Sequence, residues 1–546
     1  MLQPQEFCRN QYVSEFCIMF TVTFRRCLGA LPILASSAAM GQGAFVNTPL
    51  LVVPTFPREM RAAWVATVWQ IDWPTSRGVG SSYVTAQRAQ MDSILNAMAD
   101  AKMNAAFLQV RAQADAIYPS SLEPRAYFLT GREGLSTTGG YDPLAEWIAG
   151  AHARGIQLHA WINPYRVDVS APQFTPPPGT GWNDTATTSS SSYVAPTSPY
   201  RSFPNSVREY DGLWLLDPGD PASRTHVKNV ILDIVRRYDV DGIVFDDYFY
   251  PYPVTGLSFP DTNTYALYGG GLSLANWRRK NVNDFVFDIY NSIQLEPGKG
   301  HVLFGIGPFG IWKPGNPPGV TGLSAYDSIY ADSKLWFNNG WVDYLAPQLY
   351  WTIASSGQPY GSLLSWWASQ NTQNRHLWPS NNASQTLSGT WPVQEIIDQV
   401  SLTRLTPGAT GNVFYSVKGI RDNTNGLRSS LKSSLYSVPA LPPTSPWKDN
   451  VPPSRPSVSH SITGGSFAIS WTPNGTEAAH WWAVNVLIGQ VWQQYLVAGT
   501  ATSFSVPKSP SVRAYGVGAV DRLGNISPLA NRVLDATVIG QNFRAN

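Results

Sequence analysis

The run Asp239-Val-Asp-Gly-Ile-Val-Phe-Asp-Asp-Tyr-Phe-Tyr-Pro251 is apolar until it ends in two consecutive carboxylates followed by three aromatic residues. Two adjacent carboxylates in apolar surroundings repel each other and lose hydration, which raises at least one pKa into the range useful to a general acid. Cleavage of a glycosidic bond needs such an acid, together with a second carboxylate or an equivalent as base or nucleophile. Asp246 and Asp247 are therefore the candidate catalytic residues. Side chains alternate faces along a strand, so Asp246 shares a side with Gly242 and Val244, both small enough for a crowded interior. Asp246 is expected to point inward, with Asp247 as its partner and pKa modulator. The competing reading is that the pair caps the following turn or binds an arginine such as Arg111 or Arg166.

A second carboxylate from another loop is expected to complete the chemistry, and Asp115 and Glu123 are the candidates, with ordinary surface-loop residues as the alternative. Trp69, Arg111, Asn163, Tyr165, Arg166, Tyr248, Gln348, Tyr350 and Trp351 stand at or beyond the ends of apolar runs and are candidate substrate-binding groups. Aromatic faces among them suit a sugar ring; Trp73, Trp161 and Trp312 share that placement, with core packing as the alternative for each. His159 reads as a core histidine. The chain shows no metal-ligand cluster, no glycine-rich phosphate loop and no nucleophile elbow, so neither a metal nor any other cofactor is expected.

These residues need a scaffold. Short apolar runs at 61–68, 104–110, 157–162, 242–246, 302–306, 342–348, 376–378 and 412–417 alternate with amphipathic stretches at 86–101, 143–154, 221–238, 277–293, 327–339 and 393–404. Eight alternations in one region predict a (β/α)8 TIM barrel over residues 58–440, in the α/β class. Such barrels carry their chemistry at the C-terminal strand ends and in the loops beyond, and Asp246 falls where a fourth strand should end. The long segments 110–140 and 167–211 follow the second and third strands; the latter, rich in Pro, Thr and Ser, is expected to cover the mouth, with a partly mobile segment as the alternative.

Residues 441–452, with Pro442-Pro443 and Pro452, read as an extended linker, and 453–546 as a small all-β sandwich. Phe467-Ala-Ile-Ser-Trp471 and the run Val517-Gly-Ala-Val-Asp-Arg-Leu-Gly-Asn-Ile-Ser-Pro528 resemble the fibronectin type III family. That resemblance implies spacing, adhesion or glycan contact rather than catalysis, and an envelope protein is the expected partner of this domain. At the other end, Arg25-Arg26, a short apolar core and Ala35-Ser-Ser-Ala-Ala39 predict a secretory signal over residues 1–39, with Met19 as an alternative start and 40–57 as a linker. The three cysteines, Cys8, Cys17 and Cys27, all precede the expected cleavage point. The expectation is an exported protein, periplasmic or extracellular, with no stable membrane insertion after cleavage; a short uncleaved membrane anchor is the alternative. The 38 basic residues nearly balance the 36 acidic ones, which argues against nucleic acid as a partner. Charged residues make up 14% of the 546 residues against a usual value of about 25%, whereas Trp, Tyr and Phe are plentiful. Such a palette suits a neutral glycan, although core packing also absorbs aromatics.

Several stretches in order then carry a family resemblance: Arg58-Glu-Met-Arg-Ala-Ala-Trp-Val-Ala-Thr67, Asp115-Ala-Ile-Tyr-Pro-Ser-Ser-Leu-Glu-Pro124, His159-Ala-Trp-Ile-Asn-Pro-Tyr-Arg166, the Asp246-Asp247 run, Gly307-Pro-Phe-Gly-Ile-Trp312 and Ala346-Pro-Gln-Leu-Tyr-Trp351. Together they resemble the glycosyl hydrolase-like family ten of bacterial envelope glycosidases. The resemblance implies an exported glycoside hydrolase acting on peptidoglycan glycan strands, particularly strands stripped of stem peptides. A noncatalytic barrel that binds wall glycan and a glycosidase for another polysaccharide, such as an α-glucan, are the alternatives. The segment Asp241-Gly-Ile-Val-Phe-Asp-Asp-Tyr248 also looks like the fourth-strand signature of chitinases, but Tyr248 stands in place of their acid Glu and Val244 in place of an Asp. That departure leaves Asp246 or Asp247 to act directly, or the acid to come from another loop.

Overall fold

A computed structural model describes residues 51–169, 195–507, 512–539, 541, 544 and 545. The expected signal at 1–39, most of the 40–57 linker and residues 170–194 of the expected mouth-covering segment lie outside the described residues. Eight parallel strands form the barrel: β1 (Met60–Val65), β2 (Ala105–Arg111), β3 (Gln157–Ile162), β4 (Gly242–Phe245), β5 (Leu303–Ile306), β6 (Tyr344–Leu345), β7 (His376–Leu377, resuming as Ser380–Asn382) and β8 (Gly411–Tyr415). The first half of β7 pairs with β6 and its second half with β8, while β8 pairs with β1, so the sheet closes. Pro379, which has no N–H to give to a ladder, stands at the break in β7.

Inward residues Trp64, Phe107, Trp161, Val244, Tyr344, Trp378 and Val413 fill the barrel. Their bulk needs small neighbours. A Cβ on Gly305 would meet the Tyr344 ring at 2.1 Å, and one on Gly242 would meet His159 Nδ1 at 2.4 Å. His159 is a buried interior residue bonded through Nδ1 to the Tyr344 hydroxyl at 2.8 Å, and burial lowers its pKa to about 4.

Outward strand residues pack on helices α1 (Ser81–Asp100), α2 (Pro143–His152), α3 (Pro221–Arg237), α4 (Leu274–Gln294), α5 (Tyr360–Ser369) and α6 (Val393–Leu405). Asp142 and Asp220 cap α2 and α3 by accepting the N–H of Ala145 and of Ala222, each just before a proline at the first helical position, where its missing N–H costs nothing. The single helix expected at 327–339 is instead two pieces, Ala325–Ser328 and Ser333–Asn338. Tyr330 between them has a φ of +56°, and Asp332 caps the second piece while accepting Trp312 Nε1 at 2.9 Å.

Beyond β3 the chain builds an antiparallel ribbon that the sequence reading leaves as loop. Arg166–Asp168 pairs with Leu213–Leu216, which pairs with Val207–Tyr210. Asp211-Gly212 makes the hairpin turn, with φ values of +51° and +77°, the left-handed conformation that a two-residue hairpin requires.

The C-terminal region is an all-β sandwich. One sheet has the order β9 (Ser457–Thr463), β10 (Ser466–Thr472), β13 (Ser503–Pro507); the other runs β15 (Ala530–Val533), β14 (Val512–Val520), β11 (Trp481–Ile488), β12 (Val491–Ala498), then a short strand at Arg544–Ala545. Trp471 and Trp482, 5.4 Å apart, join Phe467, Tyr515 and Val517 in its core.

The segment 441–452, read from the sequence as an extended linker, is held against the barrel. Trp447 Nε1 donates to Asp343 at 2.7 Å, Lys448 Nζ donates to the Val302 carbonyl at 3.0 Å, and Ser445 bonds His376 at 3.0 Å. Prolines extend this strap, but the buried acceptors at the N-terminal strand ends pin it. Asp241, just before β4, accepts the N–H of Leu158, bonds His152 and pairs with Arg522 of the sandwich at 3.0 Å. Leu51 and Phe56 are likewise buried against the sandwich rather than lying in a linker. The sandwich therefore docks at the end of the barrel opposite the C-terminal strand ends. Among the described residues, no helix is long and apolar enough to cross a membrane.

Candidate active site

At the C-terminal strand ends lies a cavity of about 590 Å³. Trp64, Gln109 and Trp161 contribute from the inward faces of β1 to β3, Asp246, Asp247, Tyr248, Pro251 and Tyr252 from beyond β4, and Gln348, Tyr350 and Tyr415 from the far wall. Trp69, Arg166 and the ribbon residues Tyr210, Asp211, Leu213 and Leu215 complete the lining. Both Asp246 and Asp247 face this cavity, which corrects the parity expectation that only one carboxylate would point inward. The β4 ladder ends when Gly307 N–H donates to the Phe245 carbonyl; beyond it the chain turns, with Tyr248 N–H bonded to Asp246 Oδ1 and Phe249 N–H to the Asp247 carbonyl. Alternation holds only while a chain remains extended.

Each carboxylate has its own anchor set. Asp246 accepts Trp161 Nε1 at 3.0 Å and Asn163 Nδ2 at 3.1 Å. Burial pushes its pKa up to about 6, against the pull of Arg166 and of these hydrogen bonds, with the charge of Asp247 adding to the rise. Asp247 accepts Gln348 Nε2 at 2.8 Å and the Tyr252 hydroxyl, and burial raises its pKa too. Arg166 lies over the Tyr248 ring at 4.7 Å, so a cation and an exposed phenol stand beside the pair. A protonatable acid, a second carboxylate and a cation at an aromatic-lined mouth can protonate a leaving oxygen and stabilise positive charge on a sugar ring.

Of the residues expected from the sequence, Trp69, Arg166, Tyr248, Gln348 and Tyr350 line the cavity with the two aspartates. Asn163 sits behind them as a donor to Asp246. The structure does not bring Arg111, Glu123, Asp115, Tyr165 or Trp351 into the lining. Arg111 and Glu123 form a two-pronged ion pair with bonds of 2.8 and 2.6 Å, both side chains fully buried, and His226 bonds the same carboxylate at 2.9 Å. Burial by itself would raise the Glu123 pKa, but Arg111 and His226 bring it down to about 2, so Glu123 cannot serve as a proton donor near neutral pH. Asp115 is buried and raised to about 7 by desolvation, with one oxygen accepting the Tyr127 N–H at 3.0 Å; it lies away from the lining. Tyr165 is a core ring against Phe285, and Trp351 packs edge-on to Phe309. Trp73 is core, against Trp147, and Trp312 stacks on Trp366.

Sequence reasoning missed Gln109, Tyr252, Tyr415 and the ribbon residues. Gln109 carried a signal, since it continues the inward series Ala105, Phe107 of β2 and is the one amide in it. Tyr252 carried none beyond lying next to Pro251.

Trp69 is 58% exposed at the rim, in the left-handed region with a φ of +53°. A bulky residue held there is strained, and such strain persists where the surroundings over-determine it. Two bonds do so here: Gln109 Oε1 accepts the N–H of Thr67 at 3.0 Å and of Val68 at 2.9 Å. Trp69→Ala is expected to raise KM for a glycan substrate by about tenfold with kcat little changed. Steady-state kinetics check it, and an unaltered KM would remove Trp69 from the site.

Among the described residues, two groups bring three ligand-type side chains within 4.8 Å: His152, Asp241, His480 and Asp449, Glu477, Asp521. Both lie by the sandwich, away from the cavity, and the first is already tied up in the pairing of Asp241 with His152 and Arg522.

A closed (β/α)8 barrel with an acidic, aromatic-lined cleft at its C-terminal mouth is an architecture of the glycosidase type. The chain belongs to the glycosyl hydrolase-like 10 family, whose sequence profile matches residues 59–379. It is 35% identical over 428 residues to the glycosyl hydrolase YngK of Bacillus subtilis (strain 168), covering 76% of this chain and 79% of that one. It is 36% identical over 319 residues to the glycosyl hydrolase DigH of Escherichia coli (strain K12), covering 57% and 69%. Among solved structures, the catalytic domain of the beta-amylase from Paenibacillus polymyxa superposes with a TM-score of 0.43 at 11% identity, covering 70% of this chain and 99% of that one.

Proposed function

We propose that this protein is an exported glycoside hydrolase that cuts the glycan strands of peptidoglycan, particularly strands without stem peptides. The single observation that carries the chemistry is the buried Asp246, poised near pH 6 at the cavity wall beside Asp247. In the proposed reaction Asp246, protonated, gives its proton to the leaving glycosidic oxygen as the C–O bond breaks. Asp247 supplies negative charge to the ring cation, and water adds at the anomeric carbon, its proton passing to the Asp246 carboxylate so that the acid is restored. Asn163 and Trp161 hold Asp246, Gln348 and Tyr252 hold Asp247, and Trp69 with Tyr350 offers faces to the sugar. Membership of a glycosyl hydrolase-like family supports the class of reaction. Export and the envelope location are supported by Arg25-Arg26 and the apolar, small-residue stretch after them. The sandwich, docked away from the cleft, is proposed to contact an envelope protein.

The test is release of new reducing ends from intact and from peptide-stripped peptidoglycan by the purified protein. Release from the stripped polymer is expected; no release from either sinks the proposal. Cleavage of an α-glucan instead would keep the reaction class and change the substrate, whereas binding without cleavage would favour a noncatalytic barrel. Because the acid must be protonated, kcat/KM is expected to fall as pH rises through about 6, approaching tenfold per unit on the alkaline side. A rate rising from pH 5 to 8 would overturn the role of Asp246 as acid.

A further inference from the structure

Helix α5 differs from the five other barrel helices, each of which carries charged residues. The water-facing side of a helix ordinarily holds such residues, yet α5, Tyr360-Gly-Ser-Leu-Leu-Ser-Trp-Trp-Ala-Ser369, has none. Tyr360, Leu363, Leu364 and Trp367 are its buried side. Ser362, Ser365, Trp366 and Ser369, at the spacing of one helical face, line instead a second groove, of about 710 Å³. Pro317, Pro318, Ile353, Pro359 and Leu402 form its other walls, so no described residue lining it is ionisable.

The Trp366 indole is held in place for contact. Trp312 stacks on it at 5.9 Å with 20° between the planes, and Trp367 meets it edge-on at 4.8 Å. Both supports are fixed, Trp312 Nε1 donating to Asp332 and Trp367 Nε1 to the Gly310 carbonyl, each at 2.9 Å. Ser362 and Ser365 beside it are exposed, and a hydroxyl both donates and accepts. An aromatic face flanked by hydroxyls, in a groove without charge, complements the C–H face and the hydroxyls of a neutral sugar; a charged peptide would find no counter-charge there.

The groove is continuous with the cleft. Pro317-Pro318 follow β5, and Ile353 and Pro359 follow β6, so it opens at the barrel end that holds Asp246 and Asp247. Tyr350 on the cavity wall and Ile353 on the groove wall are three residues apart, which spans at most about 11 Å. Aromatic rings fill the interval: the centroids of Tyr252, on the cavity wall, and Phe309 lie 6.2 Å apart, and those of Phe309 and Trp351 5.8 Å apart. This stretch is pinned to α6, Ile353 N–H donating to Glu395 at 2.8 Å and Gln399 Nε2 to the Trp351 carbonyl at 3.1 Å.

We propose that the α5 groove is a second, noncatalytic glycan-binding site, with Trp366 as its sugar platform, which holds the part of a long strand that lies beyond the cavity. This rests on the reading of the cleft as a glycan site. Once the cavity is occupied, the same strand is present at the groove at high effective concentration, so modest contacts there add avidity. Trp366 thereby governs how tightly long strands are held, and short ones are indifferent to it.

The experiment is calorimetric titration of the full chain, in the Asp246→Asn background so that the ligand is not consumed, with long peptide-stripped peptidoglycan strands and with tetrasaccharides prepared from them. The parent is expected to bind the long strands at least about tenfold more tightly, and Trp366→Ala to lose most of that length advantage with tetrasaccharide affinity unchanged. Ser365→Glu, at an exposed position outside the core, puts a charge into the groove and is expected to act in the same direction; it decides the matter alone should Trp366→Ala fail to fold. No binding of the long strands by the parent, a full length advantage in a folded Trp366→Ala or Ser365→Glu protein, or a tetrasaccharide weakened as much as the long strands would overturn the proposal. Reducing-end release by the wild type is scored separately. Cleavage with the length advantage intact in the variants refutes only the groove, and a Trp366-dependent advantage without cleavage refutes only the hydrolase reading.

Discussion

Asp246→Asn is expected to lower turnover of a susceptible glycan by about 10²–10⁴-fold while leaving the fold intact. Asparagine has the same shape and can still accept from Trp161 or Asn163, but it has no proton to give. Its effect on stability has the opposite sign. The pKa of Asp246 rises from 3.8 to about 6 on folding, so the native state disfavours the charged form. The resulting cost is absent below pH 3.8, grows between pH 3.8 and about 6, and is complete above that, on the order of 1–3 kcal/mol. At pH 7 the asparagine variant should therefore melt at or above the wild-type temperature while being nearly inactive. Kinetics and calorimetry on the same preparation check both halves. An active Asp246→Asn protein would remove this residue from catalysis, and a comparable loss in Asp247→Asn alone would move the acid role to its neighbour.

Arg111→Met carries the other large expectation, a loss of about 3–5 kcal/mol of stability, the cost typical of leaving one partner of a buried ion pair uncompensated. Glu123 would keep His226 but lose both guanidinium bonds. The same change should reach the cleft, because Arg111 also donates to the Asn163 and Pro164 carbonyls, and Asn163 in turn holds Asp246. Denaturant unfolding measures the first effect and kcat at a permissive temperature the second. In the wild type, Glu123 has its pKa brought down from 4.5 to about 2, so the pair contributes stability fully above pH 4.5 and loses it as pH falls toward 2. An Arg111→Met protein as stable as the wild type would show that the pair is not a structural anchor.

Much of the molecule was legible before folding. Apolar runs with helical stretches between them marked all eight barrel strands, with ends displaced by a few residues, because period and composition are local properties of the chain. The Asp246-Asp247 pair stood out for the same reason. Trp69, Arg166, Tyr248, Gln348 and Tyr350 could be named because each follows a strand, and a parallel barrel gathers those ends at one mouth. The ribbon escaped because Arg166–Asp168 lies across a long insertion from its partner Leu213–Leu216, and the strands Val207–Tyr210 and Leu213–Leu216 are each too short for a clear period.

The charges divide along the same line. Asp115, Glu123 and Arg111 read as loop residues near a site, and their types and spacing could not show otherwise. Whether a carboxylate is an acid or an anchor depends on which cation reaches it, and His226 comes from a helix 103 residues away. The hold of Gln109 on the turn after β1 is visible only once β1 and β2 lie side by side, with Thr67 and Val68 donating to its oxygen. By itself the sequence determined the barrel, the sandwich and the acidic strand end, since these follow from local pattern. Only the tertiary structure decided that both Asp246 and Asp247 face the cavity, that Glu123 is spent on Arg111, and that Gln109 holds the Thr67-Val68 turn, since each depends on contacts between residues distant in the chain or on where an extended strand stops.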